Sequence, residues 1–196
     1  SLLIGIFIGF VVAIIRVTHE KTGKIGVLSA ICQVYVTVVR GVPLMVQLLI
    51  MYFVVLLPLG VGKFPAAVLC FGINSGAYIA EIVRAGIQSI DEGQMEAGRS
   101  LGMTWAQTMR YIIVPQAFKR VIPPLGNEFI ALLKDSSLVS VIGFEELTRR
   151  GQLIIAKTYG SLEIWISVAV IYLAMTLTIS RFVAYLERRY KTDDRH

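Results

Sequence analysis

The chain has 196 residues, 56% of them hydrophobic and 16% charged, with a mean hydropathy of +0.71. A soluble domain is nearer ~45–50% apolar and ~25% charged, so the excess points to a membrane protein. Four or more spans of about 20 residues would take up nearly half of the length or more, which excludes a separate catalytic domain. The net charge of +6 belongs with membrane topology rather than nucleic acid, because the basic residues fall between apolar stretches and not on one face.

The first span covers residues 2–16 and ends at Arg16, with Lys21 and Lys24 in a turn around Gly23. Its apolar part reaches only about 21 Å at 1.5 Å per residue, short of the ~30 Å hydrocarbon core. No basic segment precedes it and no small-residue cleavage site follows, so it reads as a transmembrane helix and not as a signal peptide. The second span, residues 25–57, would make a straight helix of roughly 50 Å, too long for a simple crossing. Arg40-Gly41-Val42-Pro43 interrupts it, because proline removes a backbone donor and disfavours helix at the residue before it. The break predicts a membrane-core helix over 44–57 and a bent extension over 28–39 near the inner surface.

Pro58, Gly60 and Gly62 mark a turn. Residues 60–64 resemble a phosphate loop only superficially, since the first glycine is missing and Phe64 stands where Ser or Thr must bind magnesium. The third span, residues 64–87, carries Asn74, Ser75, Glu81 and Arg84, and its small residues (Gly72, Ser75, Gly76, Ala77, Ala80) allow close helix contact. Glu81 and Arg84 are spaced to pair at i, i+3. After a polar interval, residues 88–120, the fourth span covers 121–142. Pro123-Pro124 suits its first turn, and Lys134-Asp135-Ser136-Ser137 breaks it. A loop over 143–161, the fifth span, 162–186, and a basic tail complete the chain. Cys32 and Cys70 lie in apolar segments and read as buried thiols with no disulfide or metal spacing.

Five spans put Arg16, Lys21 and Lys24, the five basic residues from Arg84 to Arg120, and those of the tail on one side. Only Lys63, Arg149, Arg150 and Lys157 fall on the other. The positive-inside rule then predicts a cytosolic polar interval and C-terminus and an external N-terminus.

Within the interval, Ser89-Ile90-Asp91-Glu92 has the form of a capping box opening a short helix over 92–101 that Gly102 stops. Thr104-Trp105-Ala106-Gln107 opens a second helix in the same way, expected to end at about Ile113, before Pro115. Met95, Gly98 and Gly102 give the first helix a slim face, suited to a groove on a partner or to the lipid surface.

Glu96-Ala97-Gly98 is followed after three residues by Gly102 and, nine residues later, by Ile112-Ile113-Val114-Pro115. This resembles the pattern of permease subunits of bacterial ATP-binding-cassette importers: E-A-A, three residues, G, nine residues, I-x-L-P. Gly98 replaces the second alanine and Val114 the leucine. Within that superfamily the chain is similar to the polar amino-acid permeases of histidine, glutamine and arginine type. The similarity runs through Arg40-Gly41-Val42-Pro43-Leu44-Met45-Val46-Gln47, Tyr78 with residues 79–87, Asn127-Glu128-Phe129-Ile130 and Leu133-Lys134-Asp135-Ser136-Ser137-Leu138.

The resemblance implies an all-α integral membrane protein with the five-transmembrane-helix fold of a type I importer permease, in a single domain over residues 1–196. It implies an inner-membrane subunit that forms the pathway for polar or cationic amino acids, with glutamine, glutamate or methionine as the alternative solutes. Two cytosolic ATPase subunits, a second permease subunit (identical or closely related) and an extracytoplasmic binding protein are the implied partners. The permease itself holds no cofactor, because ATP binds to the ATPases. Glu96, Ala97, Gly98, Arg99 and Gly102 are the implied coupling residues.

Ionisable groups inside a bilayer are costly and mark function. Arg40 is expected to snorkel to the inner interface, and Lys134 and Asp135 to neutralise one another or pair with neighbours. Glu128 has no cationic neighbour at helical spacing. It is expected to bind substrate with Asn127, Asp135 and Ser136, since transporters place ligands at broken helices near mid-membrane. An intramembrane enzyme is disfavoured: Ser136 and Ser137 lack a histidine partner, as His19 and His196 lie at the cytosolic extremes. No catalytic or metal-binding set is expected.

Overall fold

A computed structural model describes residues 1–190, and these contain helices and no strand. The end of the tail, on which Lys191 and Arg195 entered the charge count, lies outside the described residues. The helices are α1 (Leu2–Thr22), α2 (Gly26–Gly41), α3 (Leu44–Leu49, running on in wider π turns over Ile50–Leu56), α4 (Lys63–Gln88), α5 (Glu92–Ser100), α6 (Trp105–Thr108, running on in π turns over Met109–Ile113), α7 (Val114–Asp135, followed by 3-10 turns over Ser136–Ile142), α8 (Leu147–Thr158) and α9 (Ser161–Tyr190). Among the described residues α1, α4 and α9 are long and apolar enough to cross a membrane, and the bent pair α2–α3 is a fourth candidate.

α4 is the central helix. In its most apolar stretch 67% of the residues are buried, against 6% in α9, whose apolar surface is left to lipid or partners. α1 and α4 run side by side in the same direction on small residues. A Cβ on Gly72 would meet Ile4 at 2.8 Å, one on Gly76 would meet Ile8 at 2.9 Å, and one on Gly9 would meet Ile79 at 2.5 Å. Close backbone approach of this kind is how helices associate where the hydrophobic effect between them is absent. The Tyr35 hydroxyl fastens α2 to the same helix, donating to the Ile73 carbonyl at 2.5 Å.

The expected break at Pro43 is a turn of 106° between α2 and α3. Proline offers no N–H to the Val39 carbonyl four residues back. The Gln47 side-chain amide supplies the missing donor, reaching the Val39 carbonyl at 2.6 Å and that of Val42 at 2.7 Å.

Three local expectations need correcting. α1 continues past residue 16 to Thr22, where Gly23, at φ 68°, ends it. The fourth span, expected over 121–142, belongs to a helix that begins at Val114, so Pro123 and Pro124 lie inside α7, and Pro115, expected to end the preceding helix, sits in its first turn. The π turns explain this: the Val114 N–H bonds to the Met109 carbonyl five residues back, so the register has already shifted where Pro115 withholds a donor. The 143–161 loop contains α8, whose first turn is capped by Glu146 accepting from the N–H groups of Thr148 at 2.8 Å and Arg149 at 2.7 Å. Glutamate is not among the preferred N-cap residues Ser, Thr, Asp and Asn, which hid the helix start.

Candidate functional site

Two places on the chain carry the polar chemistry. The first is the helix pair α5–α6. Asp91, and not Ser89, caps α5: its carboxylate accepts from the Gly93 N–H at 2.7 Å, while the Ser89 hydroxyl donates back to the Gly86 carbonyl at the end of α4. At the other end the Gly102 N–H bonds to the Arg99 carbonyl at 2.9 Å and the Met103 N–H to the Gly98 carbonyl at 3.1 Å. This crossed pair of bonds needs a left-handed residue, and Gly102 supplies it at φ 80°. The Thr104–Gln107 capping box then starts α6 in both of its bonds.

Gly98 does not lie on an outward face. It is buried, and a Cβ there would meet Thr108 Cγ2 at 2.6 Å and Ile112 Cδ1 at 3.2 Å. Met95 packs inward too, against the core of Ile90, Ile113 and Ala117. The slim face therefore joins α5 to α6 within the chain. Glu96, Ala97, Arg99 and Gly102 are exposed, as is Leu101 beside them. The pair is tied to the spans by few bonds: Lys21 Nζ donates to Glu92 at 2.8 Å, and Arg120 Nη1 to the Ser89 carbonyl at 2.5 Å. Beneath the end of α1 a cavity of about 430 Å³ separates Val17 and Glu20 from Met95 and Met109.

The second place is a cavity of about 450 Å³ where the α2–α3 bend meets α4 and α7. Glu128 and Asp135, seven residues apart on α7, line it together with Asn74 and Tyr78 of α4 and Arg40 of α2. Two of the expected substrate residues are thus brought together and two are not. Asn127 is exposed and points elsewhere, as its position a third of a turn from Glu128 requires. Ser136 lies outside the lining, its hydroxyl donating to the Leu133 carbonyl at 2.6 Å in the first 3-10 turn. Lys134 is exposed and does not line the cavity beside Asp135. Asn74 is buried, and its amide donates to Gln47 Oε1 at 3.2 Å, so the residue that holds the Pro43 bend also orients this side chain.

Below the cavity lies an ion network. Glu81 accepts from Arg84 at 3.0 Å, the pairing expected from spacing, but it also pairs with Arg16, a buried side chain of α1. Gln33 accepts from the second Arg16 nitrogen at 3.3 Å, and Glu20 accepts from Gln88 at 2.8 Å. Arg16 had counted only as a topological charge; no local spacing signals a partner 65 residues away.

Residues 3–192 match the family described as the binding-protein-dependent transport system inner membrane component. The chain belongs to that family. The permease is 44% identical over 194 residues to the glutamine transport system permease protein GlnP of Escherichia coli (strain K12), covering 97% of this chain and 84% of that one. It is 37% identical over 196 residues to the arginine transport system permease protein ArtQ of Bacillus subtilis (strain 168), covering 99% and 87%. A crystal structure described as an amino acid ABC transporter with histidines superposes with a TM-score of 0.89 at 47% identity, over 96% of the permease and 86% of that chain. The all-helical importer-permease fold is therefore shared, and the permease is an inner-membrane transport component and not an enzyme.

Proposed function

We propose that this permease forms the translocation pathway of an ATP-driven amino-acid importer and that its cavity favours cationic amino acids. The observation that carries the reading is the placement of Glu128 and Asp135 on one wall of a single cavity of about 450 Å³, within the size range of small-molecule sites. Two carboxylates facing one space attract a substrate bearing more than one positive group. The names of the glutamine and arginine permeases among its relatives support polar amino acids as the solutes.

In this reading the α5–α6 pair faces the cytosol, the N-terminus lies outside, and the exposed Glu96, Ala97, Arg99 and Gly102 meet one of two ATPase subunits. Gly98 contributes by holding the two helices together. A second permease subunit completes the pathway, and an extracytoplasmic binding protein delivers the solute. ATP stays with the ATPases. Neutral glutamine is the second reading, favoured by the 44% identity to a glutamine permease.

Glu128→Gln tests the choice. In the complex reconstituted with its ATPases and binding protein, arginine-stimulated ATP hydrolysis should fall at least about tenfold, the value of one charge-assisted hydrogen bond, while glutamine stimulation is kept. Unchanged selectivity between the two amino acids removes the cationic reading and leaves the neutral one.

A further inference from the structure

The acidic wall of the cavity faces a cation that was expected at the membrane interface. Arg40 stands one residue before the end of α2, just ahead of the turn at Pro43, and lines the cavity with Glu128 and Asp135. Its guanidinium lies over the Tyr78 ring, 5.2 Å from the centroid. The nearest carboxylate is that of Glu81, whose Oε2 is 3.9 Å from Arg40 Nη1. That carboxylate is already committed. Its Oε1 pairs with Arg16, and its Oε2 accepts from Arg84 Nη2 at 3.0 Å and Nε at 3.4 Å. Glu20, the other acid of the network, serves Arg84 and Gln88. Three arginines thus share two carboxylates. Among the described residues no hydrogen bond leaves the Arg40 guanidinium, and its side chain is 44% exposed.

We propose that Arg40 takes the α-carboxylate of the transported solute, so that the cavity recognises free amino acids and turns away amines that lack the carboxylate. The inference rests on the reading of Glu128 and Asp135 as the cation-binding wall. A guanidinium presents a planar fork of N–H donors that matches a carboxylate, and the cation–π contact with the Tyr78 ring holds the group without using those donors. Geometry also favours a zwitterion. Glu128 lies beside Ser75 and Arg40 over Tyr78, one helical turn apart along α4, so the two groups stand within about 5 Å of one another along the helix and make up the first level of the cavity. Asp135 stands about 10 Å further along α7 at 1.5 Å per residue. A carboxylate and an ammonium borne on one carbon suit the first level, and a side-chain cation suits the second.

The test is competition against labelled arginine by arginine and by agmatine, its decarboxylated analogue, on the purified permease–ATPase complex without the binding protein. The wild type should prefer arginine by about tenfold or more. Arg40→Gln should abolish that preference by weakening arginine alone, and Arg40→Lys, which keeps the charge but not the fork, should fall between. If Arg40→Gln does not assemble, the Lys variant carries the test: a wild-type preference in it overturns the proposal. So does a wild type that binds the two ligands equally, or an Arg40→Gln complex that keeps the preference. Glu128→Gln and Asp135→Asn separate the two readings. If they weaken both ligands while Arg40→Gln changes neither, only the carboxylate role of Arg40 falls. If they too change nothing, the cavity is not the site and both readings fall together.

Discussion

The α5–α6 pair and the cavity are assembled in different ways. The pair is shaped by neighbours: its caps bond residues two and three positions away, at Asp91–Gly93 and Thr104–Gln107, and its hinge is a single left-handed glycine. The cavity collects Arg40, Asn74, Tyr78, Glu128 and Asp135 from three helices, and its Arg40 adjoins, at 3.9 Å, the Glu81 carboxylate that holds Arg16 and Arg84. A locally built element can move as a unit without rearranging its own bonds, which is what a coupling part requires. A site built from distant helices changes shape whenever those helices shift. Transport needs both properties in one chain, and they occupy separate segments.

The sharpest way to break this contrast is Glu81→Ala. It leaves Arg16, 7% exposed at its side chain, as a buried charge with Gln33 alone to meet it. Breaking one partner of a buried pair costs about 3–5 kcal/mol. The expected result is a large drop in the thermal midpoint of the detergent-solubilised complex and loss of substrate binding. Arg16→Leu combined with Glu81→Leu should recover much of the stability, because the burial cost of both charges disappears. If Glu81→Ala melts like the wild type, the network does not support the wall.

Gly98→Leu attacks the other region. Even its Cβ would press on Thr108 and Ile112, so α5 must separate from α6, at a cost of about 1–3 kcal/mol for overpacking. Arginine binding in the cavity should persist, while coupled ATP hydrolysis and uptake fall. Loss of arginine binding in this variant would mean that the two regions are not independent.

The same contrast explains what could be read from the amino-acid order. The caps at Thr104 and the stop at Gly102 were readable because the bonding groups are adjacent, and the bend at Pro43 because proline acts on its own backbone. Glu128 was found as an acid without a local partner and Asp135 at the break in its helix, and their spacing of seven puts both on one helix face. Asn127 and Ser136 were included by adjacency, which a helix does not honour. Gly98 was assigned to an outward surface because smallness alone does not tell which neighbour comes close. Arg16 and Arg40 were missed as partners of Glu81 and of the cavity, since only the packing of α1 and α2 on α4 brings them there. The early start of α7 was missed because Pro115 looks like a terminator unless the preceding π turns are known.

The smallest effect concerns the bond between the α5–α6 pair and α1. The Lys21 ammonium donates to Glu92 at 2.8 Å, joining the end of α1 to the first turn of α5, and it holds the Glu92 carboxyl below the ordinary carboxylate value. A carboxyl depressed in the folded state stabilises that state only while it is ionised. Its contribution is complete above the unfolded value of about 4.3 and is lost as the pH falls through the lower folded value. Glu92 is exposed, so the effect is small and screened by salt. Wild type and Glu92→Gln should therefore differ slightly in thermal midpoint at pH 7 and low salt. The gap should narrow in high salt and close as the pH is lowered through the acidic range. A gap that stays constant across that range would show that the Glu92 charge contributes nothing, and that Lys21 does not bind the coupling pair to the spans.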